Sequence, residues 1–397
     1  MTPYERFVSA AELKQPDQLP AMPYCTGPFI SRFAGLNVSD YYRNAKRKLN
    51  AQLSVLKRFP KTMFYNGVWA DEGVVVEASG FGCEVVWSDT SPPWISRPII
   101  RASIDVDRLQ VPDPRHDGLM PLMLEHLDYM RRNVERGLRE DYGYVDGVGY
   151  SIGPIDIAAQ LRGLTELFKD IYMRPKLLHK LLDITTETVI TWLKAQQEIV
   201  GDFRWFAIAD DYSGLMSPKH FEEFCLPSLK RVFSKFSGIR VFHNDSNTKH
   251  VLEKLPETGA KVLFGFCPEL DLTEVKTKIG KQMCLAGNLS PTRTLLKGPP
   301  EGVSRECRKL IEIGKPGGGY ILSFGGTAAP ETPLKNIEAF IKAAAAYGKY
   351  KFTTKTFARS ILVVPERPLV QDRTEPSLSP LSSSSPVGFE RIRPATP

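Results

Sequence analysis

Several features that would narrow the class of this chain at once are missing from it. None of the six cysteines, at positions 25, 83, 225, 267, 284 and 307, forms a CxxC pair. Several lie in apolar runs, where a free thiol behaves as a small hydrophobe, so a disulfide framework is not expected and the compartment reads as reducing. No run approaches the roughly 18 uninterrupted apolar residues of a membrane span. Met1 to Leu19 carries charges where a secretory signal needs an apolar core, so cytoplasm is the default. Charge of one sign is also scarce. The net +7 is spread along the chain and suits a few arginine contacts to an acidic substrate; no nucleic-acid or membrane partner is expected. Its longest basic cluster, Lys46-Arg47-Lys48, reads as a solvated helix face. No GxGxxG follows the first strand, which argues against an open dinucleotide-binding sheet.

What is present is an ordinary globular composition: 397 residues, 42% hydrophobic and 24% charged. That length buries a core without help from metals or disulfides. Residues 1–24 read as an irregular arm, residues 25–361 as one continuous domain, and residues 362–397, rich in Ser and Pro, as a disordered tail. Within the domain, short apolar runs alternate with helical patterns. Strands are expected at Met63–Val68, Gly147–Ile152, Phe206–Ala209, Ile239–Phe242, Lys261–Phe266, Met283–Ala286 and Tyr320–Phe324. Near-continuous apolar strands separated by helices predict a parallel sheet buried on both faces, and seven or eight units predict a single (β/α)8 TIM barrel.

Barrel chemistry sits at the C-terminal ends of strands. The residues that follow each run are Asp71-Glu72, Gly153-Pro154, Asp210-Asp211, His243-Asn244-Asp245, Cys267, Gly287-Asn288 and Gly325-Gly326. Carboxylates, a histidine and glycines thus gather on one rim. Asp71, Asp210 and Asp211 either perform acid–base or electrostatic work or act as caps and loop acceptors. His243 and Asp245, two residues apart, either share a metal or join a polar network. The Pro316–Gly319 run at the opposite rim reads as a helix stop and turn.

In order along the chain, Val111-Pro112-Asp113-Pro114, Gly153-Pro154, Asp210-Asp211-Tyr212-Ser213-Gly214, Ser217-Pro218, Gly287-Asn288-Leu289-Ser290-Pro291 and Gly317–Leu322 resemble the uroporphyrinogen-decarboxylase superfamily, which includes methylcobamide:coenzyme M methyltransferases. The likeness runs from about Phe29 to Tyr347. The decarboxylase branch implies that Arg32, in an RQAGRY-like stretch with Leu36 at the second arginine position, binds substrate carboxylate, with Arg43 as a stand-in for the later arginine. It implies Asp71 as the catalytic carboxylate, and Gln160, Asp211 and Gly326 stand where that branch has Tyr, Ser and His; Asp210 joins them as a substrate-binding candidate. The methyltransferase branch implies a zinc site in which His243 is retained while Asp245 and Gly326 replace two cysteines, with Cys267 or Asp211 as a further ligand.

The reading is therefore a decarboxylase-type lyase acting on a small anionic substrate without a cofactor. The alternatives are a metal-dependent methyl or alkyl transferase using zinc, or a non-catalytic ligand-binding barrel. A homodimer is expected by analogy alone.

Overall fold

Six buried apolar runs form one parallel sheet in strictly sequential order: β1 (Val148–Ile152), β2 (Trp205–Ala209), β3 (Ile239–His243), β4 (Val262–Phe264), β5 (Cys284–Leu289) and β6 (Tyr320–Phe324). The computed structural model describes residues 1–350, so the expected tail at 362–397 lies outside the described residues. Parallel pairing needs a crossover at each step, and a helical segment supplies it every time. The register carries Ile152, Ala209, His243, Phe264 and Ala286 in one row around the wall. This row lies near the C-terminal ends of the strands.

Two further segments complete the (β/α)8 barrel without becoming regular strands. Ala21 bridges Leu322 in parallel, with Met22 N–H donating to Leu322 O and Leu322 N–H to Pro20 O. The segment at 63–68, expected as a strand, follows Pro23 through a Tyr65 N–H to Pro23 O bond. Pro20 and Pro23 have no N–H to donate, so no continuous ladder forms on either side of this segment. The first 24 residues are consequently not an irregular arm. They hold a helix, Pro3–Ala11, closed by a Thr2/Glu5 capping box, and a wall segment of the barrel.

The helical pattern at 39–58 breaks into Val38–Arg43 and Ala45–Arg58, because Asn44 is extended and its side chain caps the second helix by accepting from Arg47 N–H. The second helix also corrects the reading of its basic cluster. Positions 48, 52 and 55 share a face at helical spacing, and Lys48 is fully buried there beside Gln52 and Val55. Pro175–Val200 is one 26-residue helix, as its pattern predicts. The Pro316–Gly319 run is the expected stop, with Gly317, Gly318 and Gly319 all in the left-handed region after a helix ending at Gly314. Among the described residues, no helix is long and apolar enough to cross a membrane.

Candidate active site

Asp71 follows the extended 63–68 segment and reaches a cavity of about 210 Å³ at the C-terminal rim. Its Oδ2 accepts from Gly27 N–H at 3.2 Å and from the Tyr41 hydroxyl at 3.4 Å, and its Oδ1 accepts from Gly73 N–H at 2.9 Å. Gly27 opens the helix Gly27–Ala34, so the carboxylate faces a helix N-terminus. No helix starts at Asp71, so it is not an N-cap. Burial pushes its pKa up, and the nearby Lys48 ammonium partly opposes that.

The stretch that carries Asp71 is fixed by side chains from the helix Ala45–Arg58. The Gln52 amide brackets Trp69, donating to its carbonyl at 2.7 Å and accepting from its N–H at 3.2 Å, and it donates to the Tyr41 hydroxyl at 2.9 Å. One turn earlier, Lys48 pairs with Glu72 in a fully buried ion pair, with His126 Nδ1 3.2 Å from the ammonium and 2.6 Å from Glu72 Oε1. Glu72 Oε2 is buried without a partner. Glu77, in the same cavity wall, accepts from the Ser151 hydroxyl at 2.7 Å and from Ile152 N–H at 3.0 Å, and burial raises its pKa to about 6.

A second group of acids lies at the ends of β2 and β3. Asp210 Oδ1 accepts from Asp156 N–H at 2.9 Å, so it caps the helix Pro154–Arg162 from the neighbouring strand. Asp156 reciprocates, accepting from Asp211 N–H at 3.1 Å and Tyr212 N–H at 2.9 Å. Burial raises Asp210 to about 7, and burial together with the Asp210 charge raises Asp156 well above the carboxylate range. Asp210 Oδ2 has no partner.

Asp211 turns the other way. Its Oδ1 accepts from Asp245 N–H at 3.0 Å and lies 3.8 Å from His243 Nε2. One ligand atom from each of Asp211, His243 and Asp245 can be chosen so that all three lie within 4.8 Å of one another. His243 Nδ1 is buried without a partner and packs on Gly265, where a Cβ would come within 2.6 Å of the ring; this glycine also has φ +72°. A larger residue there would displace the histidine. A nitrogen and two carboxylate oxygens fit zinc, with a coordination position left open, or a harder divalent ion. Cys267 does not join them, because its thiol donates to Glu269 at 2.9 Å.

Tyr24 joins the two groups. It lines the Asp71 cavity, and its ring centroid is 5.3 Å from that of His243. The charges of Asp71, Asp211 and Asp245 all act on its hydroxyl, which burial already makes a weaker acid. Gly326 and Thr327 divide the same way. Thr327 lines the cavity, whereas a Cβ on Gly326 would lie 3.5 Å from Asp245 Oδ2.

The two arginines expected to clamp a carboxylate stand outside the cavity. Arg32 is 63% exposed and lies 3.9 Å from Glu331, and Arg43 is exposed with its guanidinium over Trp87 at 5.6 Å. Both sit at exposed helix positions and neither lines the cavity, so their guanidinium groups stay in water. Gln160 donates to Val74 O at 2.7 Å, bracing the mouth from behind. Lys48, Glu72, His126, Asp156 and Tyr24 escaped the sequence reading as site residues. Only the helical spacing of Lys48 with Gln52 and Val55 gave a usable signal.

Comparison with known proteins bears on this geometry directly. The uroporphyrinogen decarboxylase (URO-D) family matches residues 2–347. The chain belongs to that family. It is 26% identical to the uroporphyrinogen decarboxylase of Psychromonas ingrahamii, over 76% of this chain and 83% of that protein. With the one from Methylobacillus flagellatus it shares 28% identity, over 77% and 84% of the two chains. Among solved structures, a methyltransferase from Methanosarcina mazei superposes with a TM-score of 0.75 at 25% identity, covering 87% of this chain and 99% of that one. Both branches of the URO-D family thus have relatives of this chain, and the barrel expected from the sequence is the family's fold.

Proposed function

We propose that this URO-D family member is a metal-dependent methyl or alkyl transferase whose ion is held by His243, Asp211 and Asp245. The observation that carries the reading is the convergence of those three donors within 4.8 Å on adjacent strand ends. A divalent ion bound there would draw charge from a coordinated thiol or water and favour its deprotonated, nucleophilic form. The protein's own groups supply the rest. Asp245 N–H fixes the Asp211 carboxylate, Gly265 seats the histidine ring, and Tyr24 separates the donors from the cavity in which the second reactant would lie. The Methanosarcina mazei methyltransferase, at 25% identity, supports the same direction.

The test is zinc titration of the full chain by calorimetry with metal analysis. One zinc per chain, lost in His243→Ala and weakened at least about tenfold in Asp245→Ala, is the expected result. Absence of stoichiometric zinc in the wild type, or its survival in His243→Ala/Asp245→Ala, overturns the reading.

A carboxy-lyase is the second reading, favoured by Asp71 with its backbone donors in the cavity wall and by the decarboxylases among the relatives. A positioned carboxylate can stabilise cationic character as a substrate is protonated. Incubation with a panel of polycarboxylates, uroporphyrinogen included, would release carbon dioxide in the wild type and none in Asp71→Asn. With both arginines outside the cavity, this reading lacks a carboxylate clamp.

A further inference from the structure

We propose that the cavity at Asp71 takes a small organic cation, an ammonium or sulfonium compound, in preference to a carboxylate. The walls carry the case. Tyr24, Tyr42, Trp69 and Tyr150 present aromatic surface, and Asp71 and Glu77 supply carboxylates. The negative face of an aromatic ring attracts a cation, and such rings combined with an acid are the usual means of holding alkylated ammonium groups. The residues lining the cavity include no Lys, Arg or His.

The basic groups nearby are already committed. Lys48 spends its charge on Glu72, Arg43 lies over Trp87, and Arg32 faces Glu331. A carboxylate entering the cavity would therefore meet three acids, of which Glu72 alone is paired with a cation, and no free counter-charge. A cation would meet the reverse, and it would also offset the cost of burying Asp71, whose carboxyl is pushed up by desolvation. Glu72, also in the wall and 1% exposed, has one carboxylate oxygen without a partner, so acceptor capacity is left over even after Lys48 is counted. The volume of about 210 Å³ corresponds to about seven waters, enough for a trimethylammonium head with a short tail.

This inference rests on the transfer reading for the role of the ligand, which would lie beside the metal-binding donors across Tyr24. Its binding is measured separately. Calorimetry on the full chain compares three probes of nearly one shape: choline, the neutral 3,3-dimethylbutan-1-ol, and the anionic 3,3-dimethylbutanoate. Choline is expected to bind at least about tenfold more tightly than the alcohol, and the acid weakest of all. Asp71→Asn should cost choline at least about tenfold in affinity and leave the alcohol unchanged. Equal affinities, or a preference for the acid, overturn the proposal without any variant having to fold. His243→Ala separates the two ideas. Lost zinc with retained choline selectivity supports both. A wild type that binds no zinc but keeps the selectivity removes the transfer reading alone, and one that binds zinc without the selectivity removes the cation site alone.

Discussion

Two groups of buried acids share one rim of this barrel, and they are neutralised by different means. Asp71 and Glu72 have a cation behind them: Lys48, itself fully buried, pairs with Glu72 and draws the Asp71 pKa down against the pull of burial. Asp156 and Asp210 have none. Among the described residues no Lys or Arg is bonded or ion-paired to either, so burial and neighbouring acids raise both: the Asp211 charge acts on Asp210, which reaches about 7, and the Asp210 and Asp211 charges act on Asp156. Asp211, beside them, lies 3.8 Å from His243 Nε2, and that ring partly opposes the upward push of burial on the carboxyl. In the first pair a buried cation opposes the cost of burial. The second pair, like Asp211 beside it, is pushed up by burial with no Lys or Arg partner among the described residues to oppose it.

The comparison breaks most visibly at Lys48. Lys48→Met leaves the buried Glu72 carboxyl without its cation, with His126 as its remaining side-chain partner. Stability should fall by about 3–5 kcal/mol in denaturant titration, with part of it regained in Lys48→Met/Glu72→Gln. An unchanged midpoint would mean that Lys48 and Glu72 do not depend on each other for their burial.

A smaller effect should appear in the pH dependence of stability. The pKa of Asp210 rises from 3.8 to about 7 on folding, so the folded state binds its proton more tightly. That contribution is complete below the unfolded value and is lost as pH climbs through about 7. Wild-type stability should therefore drop by about 2–4 kcal/mol between pH 4 and 7 from this group, and Asp210→Asn should flatten the slope. A slope as steep in the variant would assign it to Asp156 or Glu77 instead.

The smallest change is expected at Arg32. Because it is exposed and lies outside the cavity, Arg32→Ala should shift stability by less than about 0.5 kcal/mol. It should also leave choline affinity within about twofold. A large loss of substrate affinity in this variant alone would restore the arginine clamp and the lyase with it.

Much of the rim was legible because strand ends in a parallel barrel are where chemistry can be exposed. His243 and Asp245 stand two apart at the end of an apolar run, and of the two further ligands open in the sequence, Cys267 and Asp211, the structure brings Asp211 in from the adjacent strand. The strand register brought Asp211 into this group, and no local pattern specifies register between β2 and β3. Lys48 was misread for a related reason. A lysine in a basic triplet is most often solvated, and only the partners at Glu72 and His126, 24 and 78 residues away, make its burial affordable. Arg32 was overvalued because a motif position says where the Cα lies and not which way the helix face turns.

The chain's alternation of apolar runs with helical stretches determined a parallel barrel and the rim on which its polar residues gather, since periodicity dictates which faces must leave water. Which acids keep their charge, which arginines are spent on the surface, and which side chains face one cavity were decided only by tertiary structure. Desolvation and ion pairing depend on neighbours distant in sequence, and a linear pattern carries no record of those distances.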